Sequence, residues 1–385
     1  MNHFHIEKHT ILTLSRGENM ERKDAYLWLK SISGISTKTI EKINNQVNNI
    51  ENVIEFSDEE IYNLKNINLN IKESIVKYKS HSYLEELKVK IYERDVKYIC
   101  IEDKEYPERL KHIHNPPVLL FYRGDISLLN DDLNLAMVGS RHPTRYGISC
   151  AKSISKRLSE FGINIVSGLA LGIDSYSHIG CIDAGGKTIA VLGSSVDNPL
   201  PKTNENLCNE IVEKGGLVIS EHSINSAVIP SNFSNRNRII SGISKGVIVV
   251  EAAEKSGALI TVDFALEQGR DVFSIPGNIN SEMSKGCNKI IKEGATLLDS
   301  LDDIINIYNI NCNNSIDVSK TYENLSLDNE SIKVINVIKD NGVLQIDDIC
   351  DYIGMEIKYV NTILSELTLK DILVEVNNNT YSLNV

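Results

Sequence analysis

Six short runs of aliphatic residues recur between residues 96 and 305, and they constrain the fold of this 385-residue chain more than any other feature. Each run is rich in Val, Ile and Leu along its whole length, which is typical of strands buried on both faces of a parallel sheet. Stretches with helical spacing separate the runs and supply the crossovers that parallel strands need. The pattern predicts a doubly wound, Rossmann-like α/β domain. The predicted strands are residues 133–138, 164–166, 188–192, 217–219, 247–250 and 271–275.

Two further folded parts are expected on either side of the sheet. Residues 21–95 carry apolar side chains at three- and four-residue spacing without strand alternation, which predicts an all-α domain. Residues 329–385 contain three helical patterns followed by two short strands, at 372–376 and 381–383, in the order of a winged helix. Residues 1–20 are predicted to be a flexible leader. The Asn- and Ser-rich residues 306–328 are predicted to be a linker.

A glycine turn between two helical patterns, at residues 32–43, has two interpretations. Such a turn exposes backbone N–H groups that can contact a DNA phosphate, as in a helix-hairpin-helix-like domain. It is also a simple way to join two helices. Few basic residues flank it, so both interpretations stay open.

Composition excludes several classes of protein. The seven cysteines are odd in number and scattered, without a CxxC pair, which indicates reduced thiols rather than a disulfide framework or a zinc site. No apolar run reaches the roughly 18 residues of a membrane span, and the first residues lack a signal-peptide pattern. We therefore expect a cytoplasmic protein without a membrane segment or a metal. The net charge of −12 requires any nucleic-acid site to be a local basic cluster.

Glycine and serine stand at nearly every predicted strand end. In an open parallel sheet these carboxyl ends form the ligand edge, and the helix that follows each strand directs its N-terminal dipole there. The residues therefore predict an anion-binding rim, most simply for phosphate. The strand ends read Val138-Gly-Ser-Arg141, Val166-Ser-Gly168, Leu192-Gly-Ser-Ser195, Ile219-Ser-Glu221, Val250-Glu251 and Ile275-Pro-Gly277.

The densest polar cluster is Asn232-Phe-Ser-Asn-Arg-Asn-Arg238. Its arginines offer bidentate phosphate contacts and its aromatic ring offers a stacking platform for a base. Arg141 and Lys202, from other strand-end loops, would add positive charge. In the alternative interpretation, Phe233 belongs to the core and the arginines pair with acids such as Glu221 and Glu251.

Cofactor and catalytic motifs are weak or absent. The first turn is not GxGxxG, and the chain contains no Walker sequence. Asp174 and His178 lie one helical turn apart, but no GxSxG accompanies them, and such a pair more often ties a helix to its loop. We therefore expect no cofactor, no catalytic residue and no enzymatic activity.

These segments, in their order and spacing, resemble the DNA-processing (DprA/Smf) family. The matching motifs are Ala136-Met-Val-Gly-Ser-Arg-His-Pro-Thr-Arg-Tyr-Gly147, Ser167-Gly-Leu-Ala-Leu-Gly-Ile-Asp174, Thr188-Ile-Ala-Val-Leu-Gly193, Ser220-Glu221, Asn232-Phe233 with Arg236-Asn-Arg238, Glu251 with Ser256-Gly257, and Val272-Phe-Ser-Ile-Pro-Gly277. The resemblance extends over essentially the whole chain, including the helical N-terminal part, which is similar to the family's sterile-alpha-motif-like module, and the C-terminal winged helix.

The resemblance implies a protein that binds and protects single-stranded DNA during natural transformation and loads the RecA recombinase onto it. It also implies a homodimer formed through the Rossmann-like domain. By the same resemblance, Arg141 and Lys202 contact DNA, and Phe233 lies at the DNA pocket. The complete set of expected DNA-binding residues is Gly139, Ser140, Arg141, Lys202, Phe233, Arg236, Asn237, Arg238, Ser256 and Gly257.

The chain departs from the family pattern at Leu171, where the family usually has an arginine, and at Leu200 and Ser177. Two other functions remain as alternatives. One is a nucleotide-processing enzyme of the lysine-decarboxylase-like type, whose PGGxGT motif is replaced here by Ile275-Pro-Gly-Asn278. The other is a regulatory interaction protein that works through its winged helix.

Overall fold

The computed structural model describes residues 20–224, 226–310, 327–370, 372–377 and 379–383. These residues form two compact units, which divide between Tyr308 and Asn309. Nearly all of the predicted leader, and most of the predicted linker, lie outside the described residues. Among the described helices, none has both the length and the apolar composition that crossing a membrane would require.

The first unit begins with helices, as the spacing of apolar residues predicts. They are α1 (Arg22–Ser31), α2 (Thr37–Asn44), α3 (Asp58–Tyr62), α4 (Leu69–Tyr78) and α5 (His81–Glu93). Gly34, between α1 and α2, has φ +87°, which an L side chain rarely adopts, so the turn at residues 32–43 depends on glycine there. Trp28 of α1 is fully buried, and its Nε1 donates to the carbonyl of Tyr78 at 2.9 Å.

A nine-stranded, mostly parallel sheet follows the helices. In the order β1-β2-β6-β5-β4-β3-β7-β8-β9, the strands from β6 to β9 pair in parallel, while β2 pairs antiparallel with both β1 and β6. The strands are β1 (Lys97–Cys100), β2 (Leu119–Gly124), β3 (Asn134–Val138), β4 (Asn164–Ser167), β5 (Thr188–Leu192), β6 (Leu217–Ser220), β7 (Gly246–Val249), β8 (Asp271–Ser274) and β9 (Thr296–Leu297).

The doubly wound, Rossmann-like α/β fold is therefore confirmed, and β3 to β8 are the six predicted strands. Helices join the strands: α6 (Glu108–Lys111), α7 (Arg145–Glu160), α8 (Ile173–Asp183), α9 (Glu205–Glu213), α10 (Pro230–Gly242), α11 (Ala258–Glu267), α12 (Lys285–Lys292) and α13 (Asp302–Tyr308). Four short 3-10 helices lie at Ile50–Glu55, Ile126–Asn130, Lys202–Asn204 and Glu282–Ser284.

One hydrophobic core joins the helical segment to the sheet. Trp28 and Leu29 of α1 belong to the same cluster of buried side chains as Phe121 of β2, Leu192 of β5 and Val218 of β6. A second core, around Val138, Ile239 and Val249, contains side chains from β3, β7 and α10. The predicted boundary near residue 95 therefore coincides with a change from helices to strands inside one compact unit.

The second unit has the element order of a winged helix. It contains α14 (Asn329–Asn341), β10 (Leu344–Gln345), α15 (Ile346–Ile353), α16 (Ile357–Leu369), β11 (Leu373–Asn377) and β12 (Thr380–Leu383). The strands form an antiparallel sheet in the order β10-β12-β11. Its core is aliphatic, with Val334, Ile349 and Leu364 fully buried.

Candidate nucleic-acid interface

A cavity of about 430 Å³ opens at the carboxyl ends of β3 and β7. In the sheet, β3 lies between β4 and β7, so the chain changes direction across the sheet at this point. Such switch points are where open α/β sheets bind ligands. Eight predicted contact residues line the cavity: Gly139, Ser140, Arg141, Phe233, Arg236, Asn237, Ser256 and Gly257.

The turn after β3 carries Arg141 and is fixed at both ends. At one end, the backbone N–H of Ser140 donates to the carbonyl of Glu251 at 2.7 Å. At the other end, Thr144, the N-cap of α7, donates its N–H to Oε2 of Glu251 at 2.8 Å and its hydroxyl to Oε1 at 2.7 Å. Arg141 lies between these anchors and is exposed.

Arg236 lies at the base of the cavity and is 4% exposed. Its Nη1 donates to the carbonyl of Gly168 at 2.6 Å and also to the carbonyl of Val191, so one guanidinium ties together the ends of β4 and β5. A Cβ on Gly168 would lie 2.4 Å from Nη2 of Arg236, which explains why glycine is needed there. Burial lowers the pKa of Arg236 to about 10; Asp174 opposes this effect and Arg141 adds to it. The two arginines therefore place positive charge at the cavity, beside the buried Asp174 side chain.

Asp174 and His178 have separate partners. The Asp174 carboxylate accepts from the N–H groups of Gly168 and Ala170 at 3.2 and 3.3 Å, and burial raises its pKa. Nδ1 of His178 lies 2.6 Å from the Thr188 hydroxyl, which itself donates to the carbonyl of Ile165. Nδ1 therefore carries the proton, and burial lowers the pKa of His178 to about 3. Asp174 holds the loop between β4 and α8 in place, while His178 bonds to β5.

Phe233 forms one wall of the cavity. It packs against the end of β5, where a Cβ on Gly193 would lie 2.8 Å from the Phe233 ring. Helices α10 and α11 both begin at the cavity, through Pro230 and Ala258, and neither has a side-chain cap at its N-cap residue. Their dipoles add partial positive charge to that of the two arginines. The arrangement suits an anionic ligand with a flat apolar portion.

The family model of DNA recombination-mediator protein A matches residues 97–309, which is more than half of the chain. This chain belongs to that family. It is similar to the DNA processing protein DprA of Bacillus subtilis, with 42% identity over 212 residues that cover 55% of this chain and 71% of that protein. It is also similar to DprA of Streptococcus pneumoniae, with 44% identity over 207 residues that cover 53% of this chain and 72% of that one.

Two solved structures of DprA proteins resemble this fold. The X-ray structure of DprA from Streptococcus pneumoniae superposes with a TM-score of 0.64 at 35% identity and covers 74% of this chain and 98% of that one. A structure of DprA from Helicobacter pylori, described for its single-stranded DNA binding mode, has a TM-score of 0.50 at 29% identity and covers 55% of this chain and 95% of that one.

In this member of the DprA family, two expected contact residues lie outside the cavity lining. Arg238 is 5% exposed, and its Nη1 and Nη2 donate to Oε1 and Oε2 of Glu221 at 3.0 and 2.8 Å. Burial alone would raise the pKa of Glu221, but Arg238 and Lys30 hold it below its usual value. Lys202 has a side chain that is 54% exposed and pairs with Glu205 at 3.3 Å.

The alternative in which arginines pair with acids thus describes Arg238 but not Arg236. Glu251 bonds to Thr144 rather than to an arginine. The sequence also did not identify Ala170, Pro230 and Met283 as cavity residues of this DprA-family chain. Ala170 lies two residues after Gly168, which the strand-end rule identified. Pro230 lies two residues before Asn232, where the arginine cluster begins. Met283 comes from a 3-10 helix that no sequence signal connects to the site.

Proposed function

We propose that this chain binds single-stranded DNA across the cavity at β3 and β7, protects incoming DNA during natural transformation and loads the RecA recombinase onto it. The observation that carries the DNA-binding proposal is the cavity itself, where exposed Arg141, buried Arg236 and the Phe233 ring surround one concave site. The Helicobacter pylori relative, whose structure concerns single-stranded DNA binding, supports this choice of ligand.

A single strand fits the site better than a duplex does. Stacking on an aromatic ring requires an unpaired base, and Phe233 lines the cavity. A concave site of about 430 Å³ can receive a base that is turned out of the strand, whereas the bases of a duplex stay within its stack.

Local charge supports phosphate contacts in spite of the acidic chain. Arg141 lies close enough to Arg236 to lower its pKa, and a phosphate between them would relieve this repulsion. Lys202 is paired only with an exposed carboxylate, an interaction worth little, so its ammonium remains available to the DNA backbone. We propose that Lys202 contacts the strand outside the cavity.

We further propose that the first unit forms a homodimer. The sheet ends at β9, whose Leu297 is 41% exposed, and α11 leaves Leu266 64% exposed. Apolar side chains on an edge strand and on a surface helix suit contact with a second copy. Leu266→Glu is expected to shift the protein from dimer to monomer, which analytical ultracentrifugation measures. RecA loading rests on the family resemblance.

A nucleotide-processing activity is less favoured. The helix N-terminus that holds a pyrophosphate in dinucleotide-binding folds is that of α7, and here it already carries the Glu251 carboxylate. A second anion at this position would meet a buried negative charge.

The test is fluorescence anisotropy with a dT oligomer and a blunt duplex over a range of salt concentrations. We expect the single strand to bind more tightly than the duplex. The logarithm of its binding constant is expected to fall linearly with the logarithm of the salt concentration. Arg141→Ala is expected to weaken binding roughly tenfold. The slope of log affinity against log salt concentration is expected to become less steep by about 0.7, the value for one phosphate contact on a single strand.

Lys202→Ala is likewise expected to weaken binding of the dT oligomer and to make its salt dependence less steep. Lys214→Ala is the matched control. Lys214 is exposed and precedes β6, so it lies at the amino ends of the strands, whereas the cavity lies at their carboxyl ends. Equal affinity for the two nucleic acids would contradict the proposal. So would a folded Arg141→Ala/Lys202→Ala double variant that binds like the wild type.

A further inference from the structure

Glu251 is a buried carboxylate with an unusual set of partners. It follows β7 and is 2% exposed, and among the described residues no cation lies within ion-pair distance of it. Instead, both of its carboxylate oxygens accept hydrogen bonds from Thr144, one from the backbone N–H and one from the hydroxyl. Since Thr144 is the N-cap of α7, the charge lies against the positive end of that helix.

The local sequence leaves space for this contact. A Cβ on Gly147, in the first turn of α7, would lie 2.5 Å from Oε2 of Glu251, so only glycine admits the carboxylate there. The Thr144 hydroxyl also accepts from the N–H of Gly147 at 3.2 Å. The Glu251 side chain, which follows another strand, therefore accepts hydrogen bonds at the N-terminus of α7. Related folds hold a phosphate at this position.

The same residue fixes the other end of the Arg141 turn. The carbonyl of Glu251 accepts from the N–H of Ser140 at 2.7 Å, and a Cβ on Gly139 would lie 2.9 Å from that carbonyl. Residues 140 and 144 are thus both bound to Glu251, and Arg141 lies between them. A turn held at both ends has less conformational freedom to lose when its arginine binds a ligand.

We propose that Glu251 is a positioning residue for DNA binding: its side chain accepts both hydrogen bonds from Thr144 at the N-terminus of α7 and so holds the turn that presents Arg141 to the cavity. This inference rests on the proposed function. The Glu251 side chain acts through Thr144 and contributes to affinity only by way of Arg141, whereas the bond to Ser140 is made by the backbone carbonyl and remains in every variant at this position.

A double-mutant cycle between Glu251 and Arg141 tests the inference. Single-stranded dT binding is measured by anisotropy for the wild type, Glu251→Ala, Arg141→Ala and the double variant, each checked for folding by circular dichroism. We expect Glu251→Ala to weaken binding roughly tenfold, as loss of hydrogen bonds to a charged group would. In the Arg141→Ala background, the same change is expected to alter affinity less than about twofold.

Glu251→Gln is the conservative variant. The amide oxygen accepts from the Thr144 N–H and the amide N–H₂ donates to its hydroxyl, so this variant is expected to stay within about twofold of the wild type. If Glu251→Ala does not fold, Thr144→Val removes one of the two carboxylate contacts. It is expected to weaken binding about threefold, and again only when Arg141 is present.

The possible outcomes separate this inference from the proposed function. A wild-type protein that does not bind the dT oligomer contradicts both. Normal binding by folded Glu251→Ala overturns the inference alone, and so does a loss of equal size with and without Arg141. A Glu251→Gln variant as weak as Glu251→Ala also overturns it, because charge rather than the tether would then be responsible.

Discussion

Two arginines that are neighbours on α10 have different roles in the structure. Arg236 bonds to backbone carbonyls at the base of the cavity, whereas Arg238 forms a buried ion pair with Glu221. The backbone carbonyls that Arg236 binds carry no net charge, and the nearby Asp174 carboxylate offsets part of its positive charge. The charge of Arg238 is neutralised inside the protein. Of the two, only Arg236 lines the cavity.

Arg238→Ala is expected to destabilise the fold by roughly 3–5 kcal/mol, because Glu221 would be left buried and unpaired. Urea denaturation measures this change. Arg141→Ala is the control, and as an exposed substitution it is expected to change the free energy of unfolding by less than about 0.5 kcal/mol. A variant Arg238→Ala with wild-type stability would show that the ion pair does not contribute to folding.

His178 is expected to make the fold sensitive to acid. Its pKa is lowered by burial to about 3 in the folded state, against about 6.5 in an unfolded chain. The unfolded state therefore binds the proton more readily. The stability contributed by neutral His178 is complete above about pH 6.5 and is lost as the pH falls toward 3, at up to about 1.4 kcal/mol per pH unit.

His178→Asn, whose amide N–H₂ can replace the Nδ1–H donor to Thr188, is expected to flatten the dependence of unfolding free energy on pH between about 6.5 and 4. His112→Asn is the matched control, since that side chain is 74% exposed. Parallel pH profiles for the wild type and His178→Asn would contradict this explanation.

The sequence could predict which loops meet at the cavity but not how each polar side chain is used. Arg141 follows from the rule that carboxyl strand ends form the ligand edge, and Phe233 follows from the cluster at residues 232–238 and the family resemblance. Arg236 and Arg238 differ because one meets backbone carbonyls and the other meets Glu221. Glu221 directly follows β6, whose neighbours are fixed only by the sheet order. The same holds for Glu251 and Thr144, which meet across two strand ends that are distant in the chain.

At the scale of the elements, the six strands predicted from aliphatic runs form the central part of the sheet. The strands that the sequence did not reveal, β1, β2 and β9, lie toward its edges. The first two pair antiparallel, and β9 has only two residues, so its pattern is too short to recognise. The apolar residues 118–121, which follow a pair of prolines, are the sequence pattern from which β2 could have been predicted.

The loop between β4 and α8 allows a test of charge near the cavity. Leu171 is 42% exposed beside Ala170, which lines the cavity. Leu171→Arg is expected to strengthen dT binding and to steepen its salt dependence by about 0.7, the contribution of one additional phosphate contact. Leu171→Gln, which adds a polar group without charge, is the control and is expected to leave the salt slope unchanged. An unaltered slope for Leu171→Arg would show that DNA does not pass this loop.

At the scale of the whole molecule, the composition of the second unit predicts that it does not read a duplex. Winged helices normally place their third helix in the major groove, which requires basic residues to meet phosphates. Here α16 exposes Ile357 and Tyr359, at 50% and 60%, and residues 331–385 contain four lysines against eight acidic residues. The composition favours a surface for protein contact.

Deleting residues 319–385 is therefore expected to change the affinity for single-stranded dT by less than about twofold, since no phosphate contacts are removed. Anisotropy on the truncated protein measures this, with circular dichroism as the check on folding. Loss of binding by a folded truncated protein would contradict the prediction. Duplex binding by residues 327–385 alone, at physiological salt, would do so as well.

The shared core of α1 and the sheet has a consequence for synthesis on the ribosome. Trp28 and Leu29 of α1 share a hydrophobic cluster with Val218 of β6, and β1 to β5 all lie between them in the chain. Contacts between such distant segments form late and slow the folding of a domain. Helix α1 itself packs against its neighbouring helices and β2, whereas the part of the cluster that β6 contributes is completed only after β6 has left the exit tunnel. During that interval, the apolar side chains of this cluster that still lack their strand partners are expected to be a target for chaperones.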